Sequence, residues 1–296
     1  MRVGVFTPLL ASLPLDGVLK KLAALNIRTV ELGTGNYPGD PHCKLSMLEN
    51  AAERAEFKQQ LNDNGFSISA LSCHGNPLHP DAERARHDQE VSRKTILLAE
   101  KLGVPVVVDF SGCPGDSPNA KYPNWVTCPW PPEYLDVLRW QWDEVVAPYW
   151  TAHAKFAADH GVKIAIEMHP GFVAYSPETL LKLRSLAGPS IGCNYDPSHM
   201  FWQGIDPSPP SAYWAMPSSM CMPKTRKPIP RICLLPACST PRAIPMSAIA
   251  PGSSAPVATA TARSGGASSS PPYACSVTIT CCPSNTRTAC FRPKRG

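Results

Sequence analysis

Residues Val162–Gly171 read Val-Lys-Ile-Ala-Ile-Glu-Met-His-Pro-Gly, and this stretch indicates the fold class. A short, mostly apolar run stops at Glu167, and two turn-forming residues, Pro170 and Gly171, follow closely. Such a run between turn residues is typical of a strand that is buried on both faces, as in a parallel sheet covered by helices. The polar residues after it would then lie at the carboxyl edge of the sheet, where open α/β folds and barrels bind their ligands.

The same pattern of a strand followed by polar residues occurs six times in the first 206 residues. The predicted strands are Val3–Thr7, Thr29–Gly33, Ser67–Ser72, Val104–Asp109, Val162–Ile166 and Ile191–Tyr195. The helices predicted between them are Leu15–Asn26, Asn50–Asn64, Asp81–Leu102, helical patterns around Pro148 that reach His160, and Pro177–Leu186. Six strand-then-helix units imply an all-parallel α/β sheet, either open and doubly wound or closed into a barrel. A complete (β/α)8 TIM barrel has eight units in roughly 250 residues, so this region matches three quarters of one.

The composition changes abruptly near Pro207. All 23 acidic residues and 18 of the 28 Lys and Arg precede it, so this first part carries a net charge of −5. Residues 207–296 contain no Asp, Glu or His, carry a charge of +10 and hold seven of the 12 cysteines. Globular domains mix charges of both signs, so a long segment without a carboxylate is atypical. We therefore predict two regions: an incomplete barrel at 1–206, and an irregular, disordered, basic tail rich in Pro, Ser and Cys at 207–296.

Bulk properties exclude several classes of protein. The acidic first region argues against a nucleic-acid groove, which needs a basic surface. The N-terminus enters a strand directly and shows no signal peptide, and no apolar run reaches the length of a membrane span. The five cysteines before residue 207 are scattered and odd in number, which favours a reducing compartment over a disulfide framework. We expect a cytoplasmic protein with no membrane partner.

Chemically useful side chains cluster at the predicted carboxyl ends of the strands. They are Glu31, His74, Glu167, His169, Asp196 and His199. A Glu and an Asp at neighbouring strand ends, here Glu167 and Asp196, can bind one divalent ion through oxygen. Each residue alone could simply cap a strand or bond to backbone, but their repetition at successive strands favours a shared site. Trp125, in the loop Gly112–Pro132, could wall a pocket at this face or pack the loop onto the barrel rim.

At these residues the sequence resembles a known family. The motifs that carry the resemblance are Glu31–Gly35 (Glu-Leu-Gly-Thr-Gly), Ser72–Pro80 (Ser-Cys-His-Gly-Asn-Pro-Leu-His-Pro), Phe110–Gly112 (Phe-Ser-Gly), Glu167–Gly171 and Asp196–His199 (Asp-Pro-Ser-His). In combination they are similar to the sugar phosphate isomerase/epimerase family. That family has the xylose isomerase-like TIM barrel, which endonuclease IV shares. The resemblance covers residues 1 to about 206.

The resemblance implies a metal-dependent isomerase or epimerase that acts on a small sugar or sugar phosphate through an enediolate. It assigns Glu167 and Asp196 as ligands of a divalent metal (Mn, Co, Mg or Zn) and Glu167 also as the catalytic acid/base. His74, His199, Glu31 and Trp125 become candidate substrate-binding residues. The family's remaining ligands, a His that ends strand seven and a Glu on strand eight, have no counterpart after residue 206. We therefore expect this chain to lose the metal and to be inactive.

The missing ligands can be found in another reading frame. When the last base of each codon is joined to the first two of the next, Met220-Cys221 can encode only Val and Met222-Pro223 only Ala. The neighbouring codon pairs permit His-Val-His-Ala-x-Asp, which resembles the family's strand-seven motif. Residues Cys281–Thr286 likewise permit Leu-Ser-Ile-Glu-His, a strand-eight pattern with the fourth ligand. We infer a one-base slip between about Gly204 and Pro210; the alternative is a natural disordered basic tail.

Two other functions stay open at this point. The barrel could support metal-dependent phosphodiester cleavage as in endonuclease IV, although the acidic first region makes nucleic acid an unfavourable partner. Alternatively, the tail could act without catalysis by binding an anionic surface through its ten cationic side chains.

Overall fold

Six parallel strands form the frame of the molecule. The computed structural model describes residues 2–205, 221–223 and 279–280. The first six strands are β1 (Arg2–Phe6), β2 (Thr29–Gly33), β3 (Ser67–Ser72), β4 (Val106–Asp109), β5 (Lys163–Glu167) and β6 (Ile191–Tyr195). Each pairs in parallel with the next along the chain, and together they curl into a half-barrel. The predicted α/β fold with six β/α units is therefore confirmed.

Helices cover the outside of the half-barrel. They are α1 (Leu15–Ala24), α2 (Ala51–Asp63), α3 (Ala82–Leu102), α4 (Glu133–Trp140), α5 (Ala147–Asp159), α6 (Pro177–Ala187) and α7 (Pro197–Trp202). Local sequence sets their ends: Asp81 caps the start of α3 by accepting from two backbone N–H groups, and Gly103 ends it in the left-handed conformation. Among the described residues, no helix is both long and apolar enough to cross a membrane.

Side-chain alternation along the strands separates the packed core from the site. On β5, Ile164 and Ile166 join the main core that packs beneath the helices. The intervening Ala165 packs with Ala70 and Val108 in a small apolar cluster. Because side chains alternate between the two faces of a strand, Glu167 shares the face of Ala165. The sequence of β5 thus places a carboxylate above an apolar floor, at the carboxyl end of the half-barrel.

Two short strands from the second region extend the sheet. β7 (Cys221–Pro223) pairs in parallel with β6, and β8 (Ile279–Thr280) pairs antiparallel with β1. These five residues thus pair with the edges of β1 and β6, an arrangement that the sequence did not predict. The open backbone groups of an edge strand pair readily with any extended segment, which accounts for the difference. An antiparallel β8 nevertheless departs from the all-parallel order of a TIM barrel. The remaining tail, predicted to be disordered, lies outside the described residues.

Candidate functional site

Glu167 is the centre of a polar cluster at the carboxyl end of the half-barrel. It ends β5 and is only 4% exposed. Its Oε2 accepts hydrogen bonds from His74 Nε2 at 3.0 Å and from Asn194 Nδ2 at 2.7 Å, and its Oε1 accepts one from His199 Nε2 at 3.2 Å. The loop after β3, strand β6 and helix α7 thus each supply a donor to one carboxylate. A buried carboxylate needs such donors, because burial without them disfavours the charged form.

Asp196 and His199 complete a potential metal site with Glu167. Asp196 immediately follows β6 and caps α7, since its Oδ1 accepts from the Ser198 N–H at 2.9 Å. Its other oxygen, Oδ2, lies 3.8 Å from His199 Nε2. One ligand atom from each of the three residues lies within 4.8 Å of the other two. Ligands of one divalent ion lie within about twice the metal–ligand distance, roughly 4–5 Å, so this donor set fits the implied metal.

His74 is placed at the site by the loop that follows β3. Its side chain is almost fully buried, and its ring packs against Phe110 at 4.6 Å and Phe6 at 6.2 Å between centroids. The ring therefore contacts apolar neighbours while its Nε2 points to Glu167. The structure brings His74, Glu167, Asp196 and His199 together, and these are four of the six predicted site residues.

The other two predicted residues lie outside this cluster. Glu31 is fully buried on β2; Ser72 Oγ donates to one of its carboxylate oxygens, and the other has no hydrogen-bond partner in the described structure. Trp125 packs edge-on against Tyr175 at 5.3 Å between centroids, and its buried Nε1 has no partner in the described structure. Their assignment to substrate binding remains a prediction.

Two further residues lie at the site: His169, which the sequence placed at a strand end without assigning it a role, and Asn194, which the sequence analysis did not single out. His169 lies 4.2 Å from His199 between ring centroids and donates from Nδ1 to the Pro170 carbonyl at 2.6 Å. Burial, together with the neighbouring His199, lowers the pKa of His169, which favours a neutral ring with Nε2 as an acceptor. Asn194 could have been found by its spacing, because it precedes Asp196 by two residues on the same strand face.

A layer of buried polar groups lies beneath the site. Asp109, at the end of β4, accepts from Ser92 Oγ at 2.8 Å, and Ser92 Oγ also lies 2.9 Å from His153 Nε2. Burial raises the pKa of Asp109 to about 6 and lowers the pKa of His153 to about 4. The two shifts are opposite in sign because desolvation disfavours whichever form is charged.

The sequence profile of the xylose isomerase-like TIM barrel matches residues 19–224, more than two thirds of the chain. The chain belongs to this family. The match begins in α1 and includes every residue of the polar cluster around Glu167. Membership in the xylose isomerase-like family confirms the resemblance that the motifs indicated.

The chain is also similar to one sequence relative and to several solved structures. The uncharacterized protein YfiH of Bacillus subtilis is 41% identical over 211 residues, which cover 70% of this chain and 67% of YfiH. A xylose isomerase-like TIM barrel/4-hydroxyphenylpyruvate dioxygenase fusion protein is 16% identical, with a TM-score of 0.50. The match covers 74% of this chain and 30% of the fusion protein. A D-tagatose 3-epimerase-like protein is 20% identical, with a TM-score of 0.47. The match covers 70% of this chain and 69% of the epimerase-like protein.

Proposed function

We propose that this chain carries the site of a metal-dependent isomerase or epimerase for a small sugar or sugar phosphate. The observation that carries the proposal is the convergence of Glu167, Asp196 and His199 within 4.8 Å at the carboxyl ends of two adjacent strands. Membership in the xylose isomerase-like family supports it, because barrel enzymes assemble their sites at this face.

Glu167, Asp196 and His199 would hold the ion. Two carboxylates and one imidazole suit Mn, Co, Mg or Zn rather than a soft metal, which prefers thiolate. When bound, the ion would polarise the carbonyl and hydroxyl oxygens of an open sugar. His199 now donates to Glu167 Oε1. Its Nε2 would have to lose that proton to become a ligand, or the ring would remain a donor to substrate oxygens.

Glu167 is the residue we assign to proton transfer. His74 and Asn194 both engage Oε2, so they fix the plane of the carboxylate and direct Oε1 towards Asp196 and His199. A carboxylate held in this way can remove a proton from the carbon next to a sugar carbonyl, giving an enediolate, and then return it. The aromatic rings of Phe110 and Phe172, stacked at 4.4 Å, lie beside His74 and His169 and would limit access of water.

The site is incomplete in this reading frame. The resemblance implies two more ligands, on strands seven and eight, and residues 207–296 contain no His, Asp or Glu to supply them. We propose that a one-base slip near residues 204–210 removed them, and that the chain as written binds metal weakly and turns over little sugar. Sequencing the locus tests the slip, since an intact frame that encodes this same tail would contradict it.

Hydrogen exchange with solvent tests the proposed activity. A panel of free and phosphorylated sugars is incubated with the frame-restored protein and Mn²⁺ in D₂O, and deuterium at the carbon next to the carbonyl is followed by NMR. We expect exchange that the Glu167→Gln variant lacks. Nicking of an abasic DNA duplex without any sugar exchange would instead favour the endonuclease class.

A further inference from the structure

Two buried carboxylates hold the backbone of the loop that carries His74. The N–H of Gly75 donates to Asp109 Oδ1 at 3.3 Å, and the N–H of Asn76 donates to Asp88 Oδ2 at 2.7 Å. Asp88 belongs to α3 and Asp109 ends β4, and they are only 7% and 1% exposed. Hydrogen bonds to a charged acceptor are roughly twice as strong as neutral ones, so consecutive backbone groups are fixed by two different elements.

The loop has little room to move away from these acceptors. A Cβ at Gly75 would lie 2.6 Å from Asn36 Nδ2 and 3.1 Å from Asp88 Cγ, so a side chain there would displace the Asn36 amide. Asn36 Nδ2 also donates to the Cys73 carbonyl at 2.8 Å. The backbone on both sides of His74 is therefore held by hydrogen bonds.

The acceptors are themselves held in place. Asp109 accepts from the Phe110 N–H at 2.8 Å and from Ser92 Oγ, and Ser92 in turn contacts His153 on α5. This chain of contacts ties the acceptor to α3 and α5. A displacement of Asp109 would thus disturb several packed elements, which makes its position well defined.

The contacts of Gly75 and Asn76 with the two carboxylates also affect Glu167, through His74. His74 precedes Gly75, and its Nε2 donates to Glu167 Oε2 at 3.0 Å. Partners that hydrogen-bond to a metal ligand orient it, and their loss typically reduces metal affinity by about 10- to 100-fold. A shift of the loop would release Oε2 and allow the Glu167 carboxylate to rotate.

We infer that Asp88 and Asp109 are positioning residues. They hold the loop that carries His74, and through His74 they orient the Glu167 carboxylate towards the proposed metal ion. Neither belongs to the candidate metal ligands Glu167, Asp196 and His199. The inference rests on the proposed function only in treating Glu167 as a metal ligand; the placement of His74 by the two carboxylates is independent of it.

The test uses the full chain with Asp88→Leu and Asp109→Leu, which remove the acceptors, and Asp88→Asn and Asp109→Asn, which keep a neutral one. Asn50→Ala, which removes the cap of α2, a helix that supplies no residue of the polar cluster, controls for general destabilisation. NMR after selective ¹⁵N labelling reports the amide protons of Gly75 and Asn76 and the ring signals of His74. Mn²⁺ titration of the same samples reports the affinity of the site.

We expect the amide proton of Asn76 in Asp88→Leu, and that of Gly75 in Asp109→Leu, to move upfield. The His74 ring signals should change in both, and Mn²⁺ affinity should fall about 10-fold. The Asn variants should show smaller changes of the same sign, and they decide the matter if the Leu variants do not fold. Unchanged amide and His74 signals, or an equal loss of affinity in Asn50→Ala, would overturn the inference. If the chain as written binds Mn²⁺ too weakly to titrate, as its missing ligands predict, the NMR signals alone decide the positioning role. Absence of Mn²⁺ binding in the frame-restored protein would count against the proposed function.

Discussion

At the residue scale, the proposal gives Glu167 two roles, metal binding and proton transfer, which compete for one side chain. Its Oε2 is engaged by His74 and Asn194, whereas Oε1 faces His199 and the potential metal site. A carboxylate held by donors on one oxygen and presented to a ligand by the other is preorganised, because little rotational freedom is left to lose on binding. The chemistry of the site therefore depends on one side chain more than on any other.

Replacement of Glu167 by Gln should reduce Mn²⁺ affinity of the chain at least about 10-fold, because it removes a charged ligand and disrupts its partners. Isothermal titration calorimetry measures the change. The matched control is Glu178→Gln, an exposed residue in the first turn of α6, which should leave the affinity unchanged. Equal affinities for the Glu167 variant and the unmodified chain would remove Glu167 from the site.

Asp109 and His153 should make opposite contributions to the pH dependence of stability. Asp109 has a folded pKa raised to about 6, so it favours folding increasingly as the pH falls from 6 towards its unfolded value near 4. His153 has a folded pKa lowered to about 4 from 6.5, so the stability it contributes above pH 6.5 is lost as the pH falls through the same window.

On acidification from pH 7 to pH 4.5, Asp109→Asn should therefore lose about 2 kcal/mol more stability than the unmodified chain. His153→Gln should lose less than the unmodified chain. Urea unfolding at the two pH values measures both differences. Shifts of the same sign in the two variants would contradict the assigned protonation states.

Individual site residues differ in how far sequence could predict them. Glu167 ends β5, and Asp196 and His199 lie just beyond the end of the adjacent β6, so strand order alone could predict that they meet at one edge of the sheet. The contact between His74 and Glu167 crosses from β3 to β5 and depends on the curl of the sheet, which no local pattern encodes. The role of Asn194 was accessible through period-two spacing but was not recognised.

At the element scale, capping controls how the helices meet the sheet. Ser176 and Thr179 form a reciprocal capping box at the start of α6, where each side chain bonds to the backbone of the other residue. α6 leads into β6 and so to Asp196. The predicted start of α6 at Pro177 agrees with the structure.

Ser176→Ala should destabilise the protein by about 1 kcal/mol, because it leaves a helix N–H without its acceptor. Chemical unfolding measures the loss. Ser185→Ala on the same helix is the matched control, since Ser185 is exposed and its hydroxyl bonds only to the Lys182 carbonyl. A loss in the control as large as in Ser176→Ala would show that the cap contributes nothing specific.

The segment around Pro148 shows where element prediction reaches its limit. Helical structure runs from Glu133 to Asp159, and a π-helical turn, Gln141–Val146, connects α4 to α5. A proline in a helix interior lacks its N–H and clashes with the carbonyl four residues earlier. The wider π turn directly before Pro148 relieves that conflict. Sequence periodicity indicated helix on this segment but could not indicate the change in helix type.

At the scale of the whole molecule, the half-barrel differs from the second region in composition and, at β8, in the direction of strand pairing. β1 to β6 obey the parallel order of the family, whereas β8 runs antiparallel to β1. The sequence indicated the boundary between the regions by composition, through the loss of every Asp, Glu and His after residue 206. It could not indicate β7 and β8, because their pairing is determined by the open edges of β1 and β6 rather than by their own residues.

We propose that the half-barrel carries part of a metal site that the correct reading frame would complete. A side-by-side Mn²⁺ titration of the chain as written and the frame-restored protein tests this claim most directly. We predict that the restored protein binds a single Mn²⁺ per chain, far more tightly than the chain as written, and that Glu167→Gln abolishes the difference. Equal affinities for the two proteins, or no binding by the restored one, would contradict it.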